Sequence, residues 1–153
     1  MTLREKLAEK NRQQSAARLR KKLASVPGLG VGGFDDNPEL LPPQQLWRRF
    51  TSYERDPEHR IPDEAFADSG ASILKQWLDS LAHPKALHLS IAGHGDLAWL
   101  RVTPSDSFSL FDLFNIVGDF IALDAKSGRA IGVMDDEHEK LVFKEPQLGR
   151  DKS

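Results

Sequence analysis

Between residues 87 and 144 the chain carries short apolar stretches separated by turns, and this pattern most constrains what it can fold into. Leu87, Leu89 and Ile91 alternate with polar residues, and a second apolar stretch, 97–102, follows a glycine-rich turn. A period of two is typical of a strand, because its side chains point alternately to opposite faces. These two stretches therefore predict an antiparallel hairpin.

The same pattern continues towards the C-terminus and is interrupted by one helix. Residues 120–123 and 130–134 predict two strands joined by a glycine-containing loop, and residues 140–144 predict a final strand. Ser109 and Asp112 have the spacing of a capping box, with Asp in place of Glu. They predict the start of a short, mostly buried helix.

Helices are predicted before this strand-rich part. Residues 72–81 carry apolar residues at helical spacing, and a short helix is predicted to start near Pro43, since proline is tolerated in the first turn. Residues 53–63 are charged and contain two prolines, which predicts a loop. N-terminal helices followed by a mostly antiparallel sheet with one inserted helix indicate an α+β fold.

Charge and composition divide the chain into segments. The net charge is −2, but residues 2–24 carry eight basic and two acidic residues, which leaves −8 for the rest. We expect residues 1–24 to be a basic helical extension and the Gly/Pro-rich residues 25–43 to be an irregular linker. Residues 44–145 are then a single α+β domain, and residues 146–153 are a frayed tail.

The cysteine content and hydropathy pattern restrict the chemistry and the compartment. The chain has no cysteine, which excludes disulfides, thiol catalysis and cysteine-based zinc sites. No apolar stretch reaches the roughly 20 residues that span a bilayer, and residues 1–6 do not resemble a secretory signal. We therefore expect a cytoplasmic protein without a membrane partner.

Three residues are candidates for metal binding or acid–base catalysis. His88, His94 and Asp96 lie on a predicted strand and its turn, and imidazole with carboxylate can hold zinc or iron. Their spacing matches no standard metal motif, so a surface histidine and a turn aspartate are the alternative. Residues 28–33 match Gly-x-Gly-x-x-Gly but follow a helix, which favours a linker over a dinucleotide site. We predict no cofactor.

A nucleic-acid or regulatory adaptor is a further alternative. Residues 18–22 (Arg18-Leu-Arg-Lys-Lys22) present clustered cations that could contact phosphate. They lack interleaved aromatic residues, and the rest of the chain is acidic, which opposes binding to nucleic acid. A solvated basic helix is the simpler interpretation.

Two features predict contact with a protein. Asp135, Asp136, Glu137 and Glu139 form an acidic cluster in a predicted turn, which is either solvated or steers a basic partner. Trp99 and Arg101 share a mixed strand face that we expect to be partly exposed, and both residue types are favoured at binding hot spots.

The C-terminal hairpins resemble a known class of proteins. Residues 118–124 (Gly-Asp-Phe-Ile-Ala-Leu-Asp) and 127–135 (Ser-Gly-Arg-Ala-Ile-Gly-Val-Met-Asp) resemble the closing hairpins of small bacterial immunity proteins, which block toxins in the cytoplasm. The resemblance implies a non-enzymatic protein-binding module that occludes the active site of a cognate toxin. It also implies that the acidic cluster faces a basic toxin cleft. The oligomeric state stays open.

Overall fold

The computed structural model describes residues 2–35, 37, 39–52, 56–62, 72, 74–76, 87–94, 97–124, 127–136 and 139–145. The helices are α1 (Leu3–Leu23), α2 (Pro43–Thr51) and α3 (Leu110–Val117), and the strands are β1 (Leu29–Asp35), β2 (His59–Pro62), β3 (Leu87–Ile91), β4 (Trp99–Pro104), β5 (Phe120–Asp124), β6 (Arg129–Asp135) and β7 (Glu139–Glu145). Of the helix predicted over 72–81, Ser72 and residues 74–76 are helical, and the remaining positions lie outside the described residues. The predicted tail, 146–153, also lies outside them.

The strands form one sheet in the order β1-β4-β3-β5-β6-β7-β2, and each neighbouring pair is antiparallel. The predicted hairpins are confirmed as β3–β4 and β5–β6, and the predicted final strand is β7, which pairs with β6. The helix α3 is inserted between β4 and β5, and Ser109 Oγ accepts a hydrogen bond from Asp112 N–H at its start. The predicted α+β fold is therefore confirmed. Within the described part of the chain, no helix is both long and apolar enough to cross a membrane.

The sheet buries apolar side chains on both faces. In β5, Phe120 and Ala122 join the core that α1 and α3 cover, whereas Ile121 and Leu123 join the core that α2 covers. Because consecutive strand residues point to opposite faces, a strand buried on both sides shows an uninterrupted apolar run. One helical layer therefore lies on each face of the sheet.

The glycine-rich segment contains a strand, so the prediction of an irregular linker is wrong for residues 29–35. β1 pairs with β4 over its length, with a bulge between Val31 and Phe34. A Cβ at Gly32 would lie 3.1 Å from the carbonyl oxygen of Arg101, so glycine permits the close approach of the two strands. The Gly-x-Gly-x-x-Gly match thus falls just before and within a strand that follows a helix.

The prediction of a loop over residues 53–63 is also wrong for part of that range. Residues 59–62 form β2, the outer strand that pairs with β7 at the edge of the sheet. Pro62 is its last residue, a position where the missing N–H interrupts the ladder least. Ile61 is the one buried residue of β2, so this strand shows little apolar periodicity.

We expect Gly132→Ala to destabilise the fold, because Gly132 lies beneath a fixed aromatic ring. A Cβ there would lie 2.7 Å and 2.8 Å from two ring carbons of Phe50. Phe50 is fully buried and stacks on Phe143 with ring centroids 4.8 Å apart, so the ring has little room to move. The free energy of unfolding should fall by about 1–3 kcal/mol in urea titrations.

Gly30→Ala is the matched control for this substitution. A Cβ at Gly30 would meet the carbonyl oxygen of Thr103 at 3.4 Å, an ordinary contact, on a residue that is exposed. The free energy of unfolding of Gly30→Ala should stay within about 0.5 kcal/mol of the wild-type value. Equal losses for the two variants would contradict the steric explanation.

Candidate functional site

The sheet topology gathers four carboxylates at one end of the sheet. Asp135 ends β6, Glu139 begins β7, and Asp136 lies in the turn between them. Asp119 precedes β5, and its Oδ1 accepts a hydrogen bond from Asp135 N–H at 2.8 Å. We call Asp119, Asp135, Asp136 and Glu139 the acidic tip. Glu137, also predicted to contact a partner, lies outside the described residues.

Backbone hydrogen bonds hold the acidic tip in place. Asp136 N–H donates to the carbonyl oxygen of Glu139 at 2.8 Å, which closes the β6–β7 turn. Ala92 N–H donates to the carbonyl oxygen of Asp119 at 3.0 Å, which ties the tip to the turn after β3. The carboxylates are therefore presented by paired strand ends.

Two cations neutralise part of the acidic tip. Lys140 Nζ lies 2.8 Å from Asp135 Oδ1, and Arg60 Nη1 lies 2.6 Å from Glu139 Oε1. Counted over the described residues alone, the tip holds four carboxylates, and these two cations lie against two of them. The Asp135 side chain remains 55% exposed, and exposed ion pairs contribute little stability, typically about 0.2–1 kcal/mol. Lys140 and Glu139 are less accessible, since their side chains are 13% and 25% exposed.

Asp119 is a half-buried member of the acidic tip. Burial raises the pKa of its carboxyl above the ordinary value of 3.8, and the nearby Asp135 carboxylate raises it further. The hydrogen bond from Asp135 N–H and the charge of Lys140 act in the opposite direction. Sequence reasoning missed Asp119, because only the pairing of β5 with β6 brings it beside the acidic turn.

Trp99 and Arg101 do not join the acidic tip, and the expected exposure of Trp99 is wrong. Trp99 is 1% exposed, and its Nε1–H donates to the carbonyl oxygen of Leu41 at 2.8 Å. The core around α2 covers the strand face that the sequence left open. Arg101 is exposed on β4 opposite His88, and β3 and β5 separate it from the acidic tip.

The structure does not bring His88 and His94 together. His88 on β3 is 8% exposed, so the alternative interpretation as a surface histidine is wrong. Its Nε2 lies 2.9 Å from Asp35 Oδ2. His94 lies beyond the end of β3, and its Nδ1 shares a hydrogen bond of 2.7 Å with Ser15 Oγ. Asp96 lies outside the described residues. Among those that are described, no three metal-ligating side chains cluster.

Asp35 is the partner of His88 that sequence reasoning missed. The hydrogen bond from His88, followed by that from Asn37 N–H, lowers the pKa of the Asp35 carboxyl. Nε2 therefore donates to the carboxylate. Nδ1 of His88 is buried and has no hydrogen-bond partner within the described residues.

Only the second half of α1 packs on the sheet. Leu19 and Leu23 are buried in the core, and Arg20 Nη1 donates to the carbonyl oxygen of Gly32 at 2.8 Å. The guanidinium of Arg20 also lies 5.5 Å from the ring centre of Phe34. Residues 15–23 are thus part of the folded body, and Arg20, one of the candidate phosphate contacts, is engaged with β1.

The first half of α1 extends past the end of the sheet that carries the acidic tip. Ser15 contacts His94 near this end, whereas the carbonyl oxygen of Gly28, after α1, accepts from Ser105 N–H at the opposite end of β4. Residues 2–14 are exposed except for Glu9, which is half-buried, and we call them the projecting segment. At 1.5 Å per residue, Leu3 lies about 18 Å beyond Ser15.

We expect Asp119→Asn to keep or raise stability at pH 7. The amide oxygen still accepts from Asp135 N–H, and the partly buried charge is gone. Since the folded-state pKa of Asp119 is raised, ionisation costs stability as pH rises through that pKa, and the cost vanishes below the unfolded value. The advantage of the variant over wild type should therefore shrink as the pH falls through the raised pKa of Asp119, and it should be lost below about pH 4.

Asp119→Ala is the matched control, because it removes the charge together with the acceptor. Relative to Asp119→Asn, loss of the hydrogen bond to Asp135 N–H should cost about 1 kcal/mol at every pH. Urea unfolding of both variants between pH 3 and 7 measures the difference. A pH-independent gain for Asp119→Asn would contradict the assigned shift.

No family model, curated protein or solved structure matches this chain.

Proposed function

We propose that this chain is a protein-binding module that docks its acidic tip on a basic surface of a protein partner. In its most specific form, the proposal makes it a cytoplasmic immunity protein that occludes the active site of a cognate bacterial toxin. The observation that carries it is the acidic tip itself, where three chain segments present four carboxylates on hydrogen-bonded strand ends.

The physical setting of the tip favours recognition of cations. Like charges held close together attract a basic surface over several ångströms and speed its association. Lys140 and Arg60 contact two of the carboxylates, and Asp135 is the member of the first pair that stays exposed to a partner. The β6–β7 hairpin that carries the tip includes residues 129–135 of the stretch resembling the immunity proteins.

The enzymatic alternative gains no support from the histidines. His88 pairs with Asp35 under the α2 layer, and His94 pairs with Ser15 on α1. The two imidazoles therefore serve different contacts and share no centre where a substrate could meet both.

The test begins with a pull-down of the tagged chain from its own cell lysate, together with the products of neighbouring genes. We expect a one-to-one protein partner that is toxic when expressed alone and harmless when co-expressed with this chain. Asp135→Asn combined with Asp136→Asn should raise the Kd of the pure pair about tenfold or more, because partner cations lose their acceptors.

The control removes two negative charges elsewhere. Glu58→Gln with Asp106→Asn changes exposed carboxylates outside the acidic tip, and the Kd should stay within a factor of two or about 0.4 kcal/mol. Equal binding by the tip variant and wild type would overturn the proposal. So would turnover of a substrate that His94→Ala abolishes.

A further inference from the structure

The projecting segment exposes an apolar pair that its own fold leaves uncovered. Leu3 is 74% exposed and Leu7 is 52% exposed, and the two lie one helical turn apart on the same side of α1. They are the large apolar residues most exposed in the described part of the chain. Leu19 and Leu23, which follow on the same helix, are buried. At about 100° per residue, Leu3 and Leu7 lie on roughly the opposite side of α1 from Leu19 and Leu23, so the helix face that packs on the core does not include them.

The projecting segment is also positively charged at its free end. Arg4, Lys6 and Lys10 are exposed, and Glu5 is engaged with Thr2 in a capping box. The N-terminus of a helix adds partial positive charge, because its first N–H groups are unpaired by the helix. The free end of α1 therefore complements an acidic surface.

The acidic tip of the same molecule is out of reach of that free end. The tip lies near the level of Ser15, since Asp119 bonds to Ala92 and His94 bonds to Ser15 in the same turn region. Arg4 lies about 16 Å further along a continuous helix, beyond the length of its side chain. The described carboxylates of the acidic tip are therefore not partners of Arg4 and Lys6 within one molecule.

We propose that their partner is a second copy of the chain, with each projecting segment docked beside the acidic tip of the other. In two copies placed end to end, the segments overlap and run antiparallel. The free end of each then reaches the level of Ser15 in its partner, where the acidic tip lies. Leu3 and Leu7 of each copy pack between the segments. The arrangement is a closed two-fold pair, because both copies use the same two surfaces.

The test is the mass of the pure protein in solution at rising concentration. Sedimentation equilibrium up to about 0.5 mM should show a reversible monomer–dimer equilibrium. Leu3→Glu with Leu7→Glu should be monomeric throughout this range, with unchanged circular dichroism and melting temperature, since both side chains are exposed. A wild type that stays monomeric would overturn the proposal, as would a double variant that still dimerises.

A charge exchange tests which surfaces meet. Arg4→Glu with Lys6→Glu, and separately Asp136→Lys, should each weaken the dimer. Mixing the two variants should restore it, because the heterodimer pairs the unchanged basic segment with the unchanged acidic tip, and the acidic segment with the tip whose negative charge Asp136→Lys has removed. The control, Lys21→Glu with Lys22→Glu, makes the same charge change on the docked half of α1 and should leave dimerisation unchanged. Failure of the mixture to pair would place the contact elsewhere and overturn the proposal.

The pairing requires the projecting segment, which has no part in the proposed binding of a basic partner. A monomeric protein that binds its basic partner through the acidic tip would overturn the pairing alone. A monomer that binds anionic lipid vesicles through Leu3 and Leu7 would also overturn it, because the two exposed leucines would then serve to bind lipid.

Discussion

The central strands β3 and β5 bury side chains on both faces, and the position of each helical layer depends on this. In β3, Leu89 points into the core under α1 and α3, while His88 and Ser90 point to the side of α2. Polar groups buried there need partners. Trp47 on α2 donates its indole N–H to Ser90 Oγ at 2.8 Å, and Asp35 accepts from His88. The second face is therefore closed by specific hydrogen bonds as well as by apolar contact.

The packing of α1 on the sheet also explains how the very polar first half of this helix can project from the body. An isolated helix of about 13 residues is marginal in water, because its first turn is costly to nucleate. In α1 the docked turns around Leu19 and Leu23 are already helical, so the projecting segment only extends them. The capping box of Thr2 and Glu5 and the Glu9–Arg12 pair support this extension. Packing of one half thus stabilises the other without covering it.

The sequence predicts the elements whose apolar side chains repeat with the period of the element. Strands β3 to β7 and the helix α3 have such a pattern, and all were predicted. β1 was missed because glycines carry no side chain to show a period. Trp99 was predicted to be partly exposed because the alternation of residues along its strand does not show that α2 covers the second face of the sheet. Asp119 was missed because its contact with Asp135 spans 16 residues and arises from strand pairing. Leu3 and Leu19 look alike in the sequence, and only the docking of α1 separates them.

The net charge of −2 hides a basic N-terminal segment and an acidic remainder of the chain. The projecting segment and the acidic tip lie towards the same end of the molecule, with the basic free end of the segment beyond the tip. A second copy and a basic partner, the two proposed occupants, would then use the same carboxylates and could not bind together. Mass action decides between them, because pairing requires two copies of this chain and partner binding requires one. A tight partner at low concentration of the chain would therefore meet a free tip, whereas accumulation of the chain without its partner would cover it.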